Sequence, residues 1–308
     1  MRTLIAWSLI VPSLLFAQTD STSKSVVFEE SRDAVPAKNT SLSLSADTTN
    51  IHPVRFGIVT GTAATAIAAV HIYQANGWWK DNRTPFHFQE DLKYGRSVDK
   101  YGHFFGTAVA AFLLRKSLRW SGLSEEAALY WGAGGALAYQ TYIEVEDGFH
   151  TWGFDRVDFA SNVAGAAWPI AQYHSPFLRN FDFKYSYLPS AALNSGEGKG
   201  FQGQQHTVFD DYEGQTLWMS VKVKNFLPRS IDYLWPEFLC ISVGYAVRDV
   251  FGKEPRSAVL LALDLDMTKV IPDDTPFLKL LGEALNFIKF PMPTVQLTPN
   301  TIWYGFYF

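Results

Sequence analysis

The spacing of apolar and polar residues changes character near residue 180. Before that point, four segments have the length and composition of helices: 56–73, 99–120, 124–148 and 155–173. The third begins with a serine and two acids, a common helix start, and Pro169 is expected to kink or shorten the fourth. All four are rich in small residues, which let helices approach closely. The pattern predicts an apolar four-helix bundle.

After residue 180 the hydrophobic period becomes two, which is typical of half-buried antiparallel strands. Five such segments are visible: 180–189, 217–226, 239–247, 258–270 and 299–308. Residues 276–290 have apolar positions at helical spacing and predict one short amphipathic helix. A closed outer-membrane barrel needs at least about eight strands. The pattern therefore favours an α+β fold, with a sheet packed against the helical half, and leaves closure of the sheet open.

The N-terminal pattern indicates export. Residues 1–17 hold one arginine, an uncharged run and a small residue at the end, as a cleaved signal peptide does. Residues 18–52 are rich in Ser, Thr, Asp and Asn, and predict a disordered linker. A helical domain at 53–178 and an antiparallel β-rich region at 179–308 then follow. We expect a membrane-associated protein in the periplasm or outer membrane of a Gram-negative-type envelope.

Composition narrows the classes of partner. Lysine plus arginine number 26 against 30 acids, a balance that argues against nucleic acid as a partner. The single cysteine, Cys240, excludes an intramolecular disulfide, a thiolate metal cluster and a lipid-bearing cysteine near the signal. Aromatic residues make up 16%, which suits a membrane interface or an aromatic-rich sheet surface. The acidic run 210–213 lies in a loop-like stretch and is interpreted as solvated.

Polar residues form one line on each of three predicted helices. At about 100° per residue, Asp99 and His103 share a face, as do Glu144 and its neighbours on the third helix. Unpaired charges in an apolar bundle would each cost several kcal/mol, so we expect the lines to face inward and pair. The candidate polar site consists of Asp99, Lys100, His103, Glu144, Asp147, Asp155, Asp158 and Asn162.

The order of these motifs along the chain resembles the order found in a known protein family. DKYGHF, then EVEDGF, then GFDRVDFASNVAG, between residues 95 and 172, resembles the YfiM-type family of predicted periplasmic lipoproteins, a domain of unknown function. It is more loosely similar to VanZ-like membrane proteins, which usually carry Gln and Arg where this chain has Glu144 and Asp147. The resemblance implies an envelope location and a helical core, and no established reaction.

Several functions fit the candidate site, and the sequence leaves open whether the protein is an enzyme or uses a cofactor. The network is interpreted as structural, or as a binding site for a lipid or glycan head group. The alternative is a metal- or His-dependent hydrolase acting on an envelope lipid, with His103 as general base. Candidate metal ligands are His103, Glu144, Asp147 and Asp158, although one imidazole among carboxylates is a loose signature. The sequence identifies no protein partner.

Overall fold

The computed structural model describes residues 47–307 except 81–82, 91, 192, 194–208 and 251. The expected signal peptide at 1–17 and most of the linker at 18–52 lie outside the described residues. Within the described part, six α-helices accompany a six-stranded antiparallel sheet, which confirms the α+β class.

Four long helices come first in the chain. They are α1 (Pro53–Ala75), α2 (Val98–Trp120), α3 (Glu125–Gly148) and α4 (Arg156–His174). The side chain of Ser124 caps α3 by accepting from the N–H of Ala127 at 3.2 Å. The helix α4 runs on past Pro169 to His174, so the expected shortening at this proline does not occur.

Helices α2, α3 and α4 pack tightly because small residues line their contacts. The buried core between them includes Ala111, Ala133, Ala136 and Ala166. Helix α1 differs, since most of its side chains are exposed and it makes few contacts with α2. The four-helix bundle is therefore not confirmed: three helices form a tight bundle, and α1 lies apart from their core.

The strands form a meander in the order β1 to β6. They are β1 (Phe181–Tyr187), β2 (Gln215–Val221), β3 (Leu239–Arg248), β4 (Arg256–Leu265), β5 (Met292–Thr298) and β6 (Ile302–Tyr307). The sheet curls, because the outer edge of β1 bonds to the segment leading into β5: Phe287 O accepts from Tyr185 N–H at 2.9 Å. Tyr307 of β6 likewise reaches Trp218 of β2, with ring centroids 6.0 Å apart.

Three differences from the predicted strands have local causes. Strand β5 was not predicted, because Pro291 and Pro293 interrupt the alternation that identifies a strand. Strand β4 ends at Leu265, since Asp266 caps the short helix α5 (Met267–Val270). Strand β2 ends at Val221, well before the predicted end at 226. The amphipathic helix is present as α6 (Pro276–Leu285).

The helix α2 joins the bundle to the sheet through aromatic contacts. Phe104 packs edge-on against Phe183 of β1, with centroids 4.7 Å apart, and Phe105 stacks on Tyr185. Val98, at the start of α2, is fully buried with Leu217 and Val247 of the sheet. These contacts hold the first turns of α2, which carry the candidate site, between α4 and the sheet.

Candidate functional site

Local sequence features place the polar lines of α2 and α4 against each other. Asp155 is the N-cap of α4, where its Oδ1 accepts from Val157 N–H at 2.7 Å. Farther along α4, Gly165 lies so close to α2 that an added Cβ would sit 2.2 Å from Phe104 O. Because glycine permits this approach, side chains on the two helices are within hydrogen-bond reach.

Lys100 lies at the centre of a carboxylate cluster. Its Nζ is 2.9 Å from Asp155 Oδ2, 2.9 Å from Asp158 Oδ2 and 3.2 Å from Asp99 Oδ2. Lys100, Asp155 and Asp158 are buried, whereas the Asp99 side chain is about one fifth exposed. One ammonium group thus faces three acids from two helices.

His103 links this cluster to α3. Its Nδ1 lies 3.2 Å from Glu144 Oε1 and 3.3 Å from Asn162 Oδ1. Asn162 Nδ2 donates to the same Glu144 oxygen at 3.2 Å, and Asn162 Oδ1 accepts from the hydroxyl of Thr107 at 2.9 Å. Both oxygens near Nδ1 are placed as acceptors, so this arrangement favours the tautomer with a proton on Nδ1.

Burial changes the acidity of the network. Burial raises the pKa of Glu144 to about 8, against the opposing effect of His103. Burial and the neighbouring Asp99 also raise the pKa of Asp158 above its ordinary value, despite the contact with Lys100. The cluster contains more carboxyl groups than cations. Its excess negative charge is therefore reduced near neutral pH by protons held on carboxyl groups whose pKa is raised.

Asp147 has a different partner from the rest of the predicted site. Its Oδ1 accepts a 2.6 Å hydrogen bond from Trp79 Nε1, and burial raises the pKa of this carboxyl to about 7. Trp79 stacks on His150, with ring centroids 5.7 Å apart, and His150 Nδ1 lies 2.6 Å from Glu146 O. Asp147 therefore belongs to an aromatic cluster beside the network. The other seven predicted residues are brought together.

Tyr212 is a member of the network that the sequence did not indicate. It follows the acidic run's Asp210 and Asp211, and its buried hydroxyl donates to Asp99 Oδ1 at 3.0 Å. The interpretation of this run as solvated is wrong for Asp211, which is 1% exposed and accepts from the Tyr187 hydroxyl at 3.0 Å. No periodic pattern marks a loop residue that contacts a helix 113 positions away.

One part of the network has the geometry of a cation site. Ligand atoms of Asp99, His103 and Asp158 lie within 4.8 Å of one another, and the buried Asp158 Oδ1 has no hydrogen-bond partner among the described residues. Glu144 contacts His103 but lies outside this group, and Asp147 is held by Trp79. Ser161, the serine beside Asn162, donates to Val157 O of its own helix at 2.9 Å.

One of the comparisons with known proteins gives a match, and this match lies in the helical part of the chain. Residues 87–174 fit the family model described as "Predicted periplasmic lipoprotein (DUF2279)", which covers less than one third of the 308 residues. The match spans α2–α4 and therefore all eight predicted site residues. No curated protein and no solved structure matches the chain. The resemblance to predicted periplasmic lipoproteins is confirmed, and so is the exported location in the periplasm or outer membrane.

Proposed function

We propose that this protein is a membrane-associated structural protein of the cell envelope, and that its polar network locks the packing of α2, α3 and α4. The observation that carries this proposal is the position of the Lys100 ammonium between Asp155, Asp158 and Asp99, at 2.9, 2.9 and 3.2 Å. The chain itself supplies the cation that joins the acids of α2 and α4. The network therefore satisfies most of its charges without an added ligand.

A network of this kind restricts how the helices can pack. His103 and Asn162 connect α2 and α4 to Glu144 of α3 through bonds of 3.2–3.3 Å. A helix that shifted by one residue would leave buried carboxylates or amides without partners, at a cost of about 1–3 kcal/mol for each neutral group and more for charges. Buried polar networks can specify one arrangement in this way while adding little net stability.

Membrane association is supported by α1. Among the described residues, α1 is the one helix long and apolar enough to cross a membrane, and only 6% of its most apolar window is buried. A helix of 23 residues extends about 35 Å, which exceeds the hydrocarbon thickness of about 30 Å. We expect the full chain to remain in the membrane pellet after carbonate extraction, and its complete release would contradict this part of the proposal.

Substitution of Lys100 tests the structural role. We expect Lys100→Met to lower the free energy of unfolding by about 3–5 kcal/mol, because three acids lose their shared cation. Lys279→Met, at an exposed position of α6, is the matched control and should change stability little. Acidic pH should restore part of the loss, since the orphaned carboxylates then become neutral. A Lys100→Met protein as stable as the control would refute the structural role.

A cation-dependent role is the second candidate, favoured by the unpartnered Asp158 Oδ1 beside Asp99 and His103. Metal analysis of the purified protein, and its melting temperature with added Zn²⁺ or Mn²⁺, separate the two candidates. A stoichiometric ion, with stabilisation that His103→Ala and Asp158→Ala both remove, would support this candidate. An unchanged melting temperature and no bound ion would support the structural role. Binding of a lipid or glycan head group stays a prediction.

A further inference from the structure

The curled sheet buries charged side chains on its inner surface. The side chains of Lys184, Lys289 and Asp264 are 0% exposed, and Lys184 Nζ lies 3.2 Å from Asp264 Oδ2. Lys184 Nζ also donates to Leu265 O at 2.6 Å, and Lys289 Nζ lies 5.0 Å from the centre of the buried Trp218 ring. The inner surface therefore holds fully buried ions beside the apolar cluster of Trp218, Ala246, Ala258, Leu260 and Ala262. Fully buried lysines and aspartates are unusual on the covered side of a sheet in a soluble protein.

The outer surface of the two longest strands is free of charged side chains. Inward and outward positions alternate along both strands. The buried inward positions are Cys240, Ser242 and Gly244 on β3, and Ala258, Leu260, Ala262 and Asp264 on β4. The outward positions carry no charged residue: Leu239, Ile241, Val243, Tyr245 and Val247 on β3, and Ser257, Val259, Leu261, Leu263 and Leu265 on β4. Both strands have ten residues, the length that crosses a bilayer when tilted.

Helix α2 covers only part of this outer surface. Its aromatic residues pack on β1 and on Tyr245 of β3. Beyond them Met219, Val243, Leu261 and Leu297, on four neighbouring strands, are 38–46% exposed. We call these four residues the outer apolar face. Trp303 and Phe306 of β6 are more exposed still, at 68% and 74%.

A cavity of about 260 Å³ extends the outer apolar face beneath α2. Tyr101, Phe104 and Phe105 of α2 form one wall, and Met219 and Val243 are part of the other. Most of the lining is aromatic or aliphatic, and Lys184 is its one charged residue. A mainly apolar cleft of this kind suits a hydrocarbon chain.

We propose that the outer apolar face lies against the hydrocarbon of a membrane lipid layer. Membrane-embedded sheets keep ions on their inner surface and no charge on their outer surface, because lipid solvates the outer surface and cannot solvate ions. The ions of this sheet likewise lie inside it, beside an apolar cluster, and the outward positions of β3 and β4 are free of charge. A protein partner would ordinarily meet charged and polar groups at the rim of its contact, whereas the outward positions of β3 and β4 carry no charged residue and, as polar side chains, only Tyr245 and Ser257, which bond to each other at 2.9 Å. This inference rests on the proposed membrane association and adds a second lipid contact to that of α1.

Lipid quenching of a site-specific fluorophore tests the inference in the full chain. Single cysteines at Val243, Ile67 and Glu254, in a Cys240→Ser background, would carry an environment-sensitive dye. The proteins would be reconstituted in phosphatidylethanolamine–phosphatidylglycerol vesicles containing lipids with nitroxide-labelled acyl chains. Ile67 is an exposed residue of α1, and Glu254 lies in the charged turn between β3 and β4. We expect strong quenching at Val243 and Ile67 and little at Glu254.

The outcomes distinguish this inference from the proposed function. Quenching at Ile67 without quenching at Val243 would refute a lipid-facing sheet and leave membrane association through α1 intact. Absence of quenching at both positions would refute membrane association itself. A third outcome is that the dye at Val243 is not quenched and a chemical cross-linker traps the protein as dimers. This result would show that a second copy of the chain covers the outer apolar face, and it would also refute the inference. Leu261→Cys repeats the measurement on β4.

Discussion

At the scale of single residues, the proton that Glu144 holds in the folded protein should make the stability depend on pH. The unfolded chain releases this proton near pH 4.5, whereas the folded protein holds it to about pH 8, because the carboxyl is buried. Between these values the folded state binds more protons than the unfolded chain. The stabilisation that the proton provides is fully present below the lower value and is lost as pH rises through the upper one.

We therefore expect the melting temperature to fall as pH rises from about 5.5 to about 8. Glu144→Gln keeps the shape of the side chain and removes its titration, so the variant should show a shallower fall. Asp147 and Asp158 have pKa values raised in the same direction, so part of the slope should remain. A slope equal to that of the unmodified protein would show that Glu144 does not hold a proton in the folded state.

Part of the polar network could be predicted from the sequence alone. Asp99, His103, Glu144, Asp158 and Asn162 were predictable as neighbours, because helical spacing aligns them and unpaired charges are costly inside a bundle. The choice of partners was not predictable. The aromatic residues Trp79 and Tyr212 bond to Asp147 and Asp99 from segments outside the bundle, and their positions depend on how the whole chain folds.

At the scale of elements, glycine sets the distance between α2 and α4. An added Cβ at Gly165 would meet the backbone of Phe104 at 2.2 Å, so the helices would have to separate. We expect Gly165→Ala to lower the free energy of unfolding by about 1–3 kcal/mol, as overpacked cores do, and to loosen the contacts of Lys100. Thermal or chemical unfolding of the full chain measures the change.

Gly134→Ala is the matched control for this prediction. Gly134 lies in α3 and is exposed, and no atom lies within 4 Å of the place that an alanine methyl group would take. Alanine there should be neutral or add up to about 1 kcal/mol through its helix propensity. Equal effects of the two substitutions would contradict the close helix contact at Gly165.

Element boundaries show where sequence patterns stop being informative. The four helices were predicted within a few residues, because their apolar runs are long and their starts and ends carry turn or cap residues. Strand β5 was missed at Pro291 and Pro293, since proline at an irregular strand start hides the period of two. Its register against β4 and β6 contains bulges, which further disrupt the alternation.

At the scale of the whole molecule, helix α1 and the outer apolar face of the sheet both expose apolar side chains in the described part of the chain. Both would be unfavourable in water, and one environment, a membrane, would account for both. The buried charges are paired within each half of the molecule: Lys184 with Asp264 inside the sheet, and Lys100 with Asp158 inside the helical network.

The contribution of α1 to membrane binding can be separated from its contribution to folding. Ala64 is exposed near the middle of α1, so Ala64→Asp should leave the packing of α2–α4 and the melting temperature of the solubilised protein nearly unchanged. In hydrocarbon, an aspartate at the centre of a helix costs about 2.5–3.5 kcal/mol. We therefore expect carbonate extraction to release a larger share of Ala64→Asp than of Ala64→Leu. If both variants stayed in the pellet equally, α1 would not lie in the hydrocarbon, and the outer apolar face would be the remaining membrane contact.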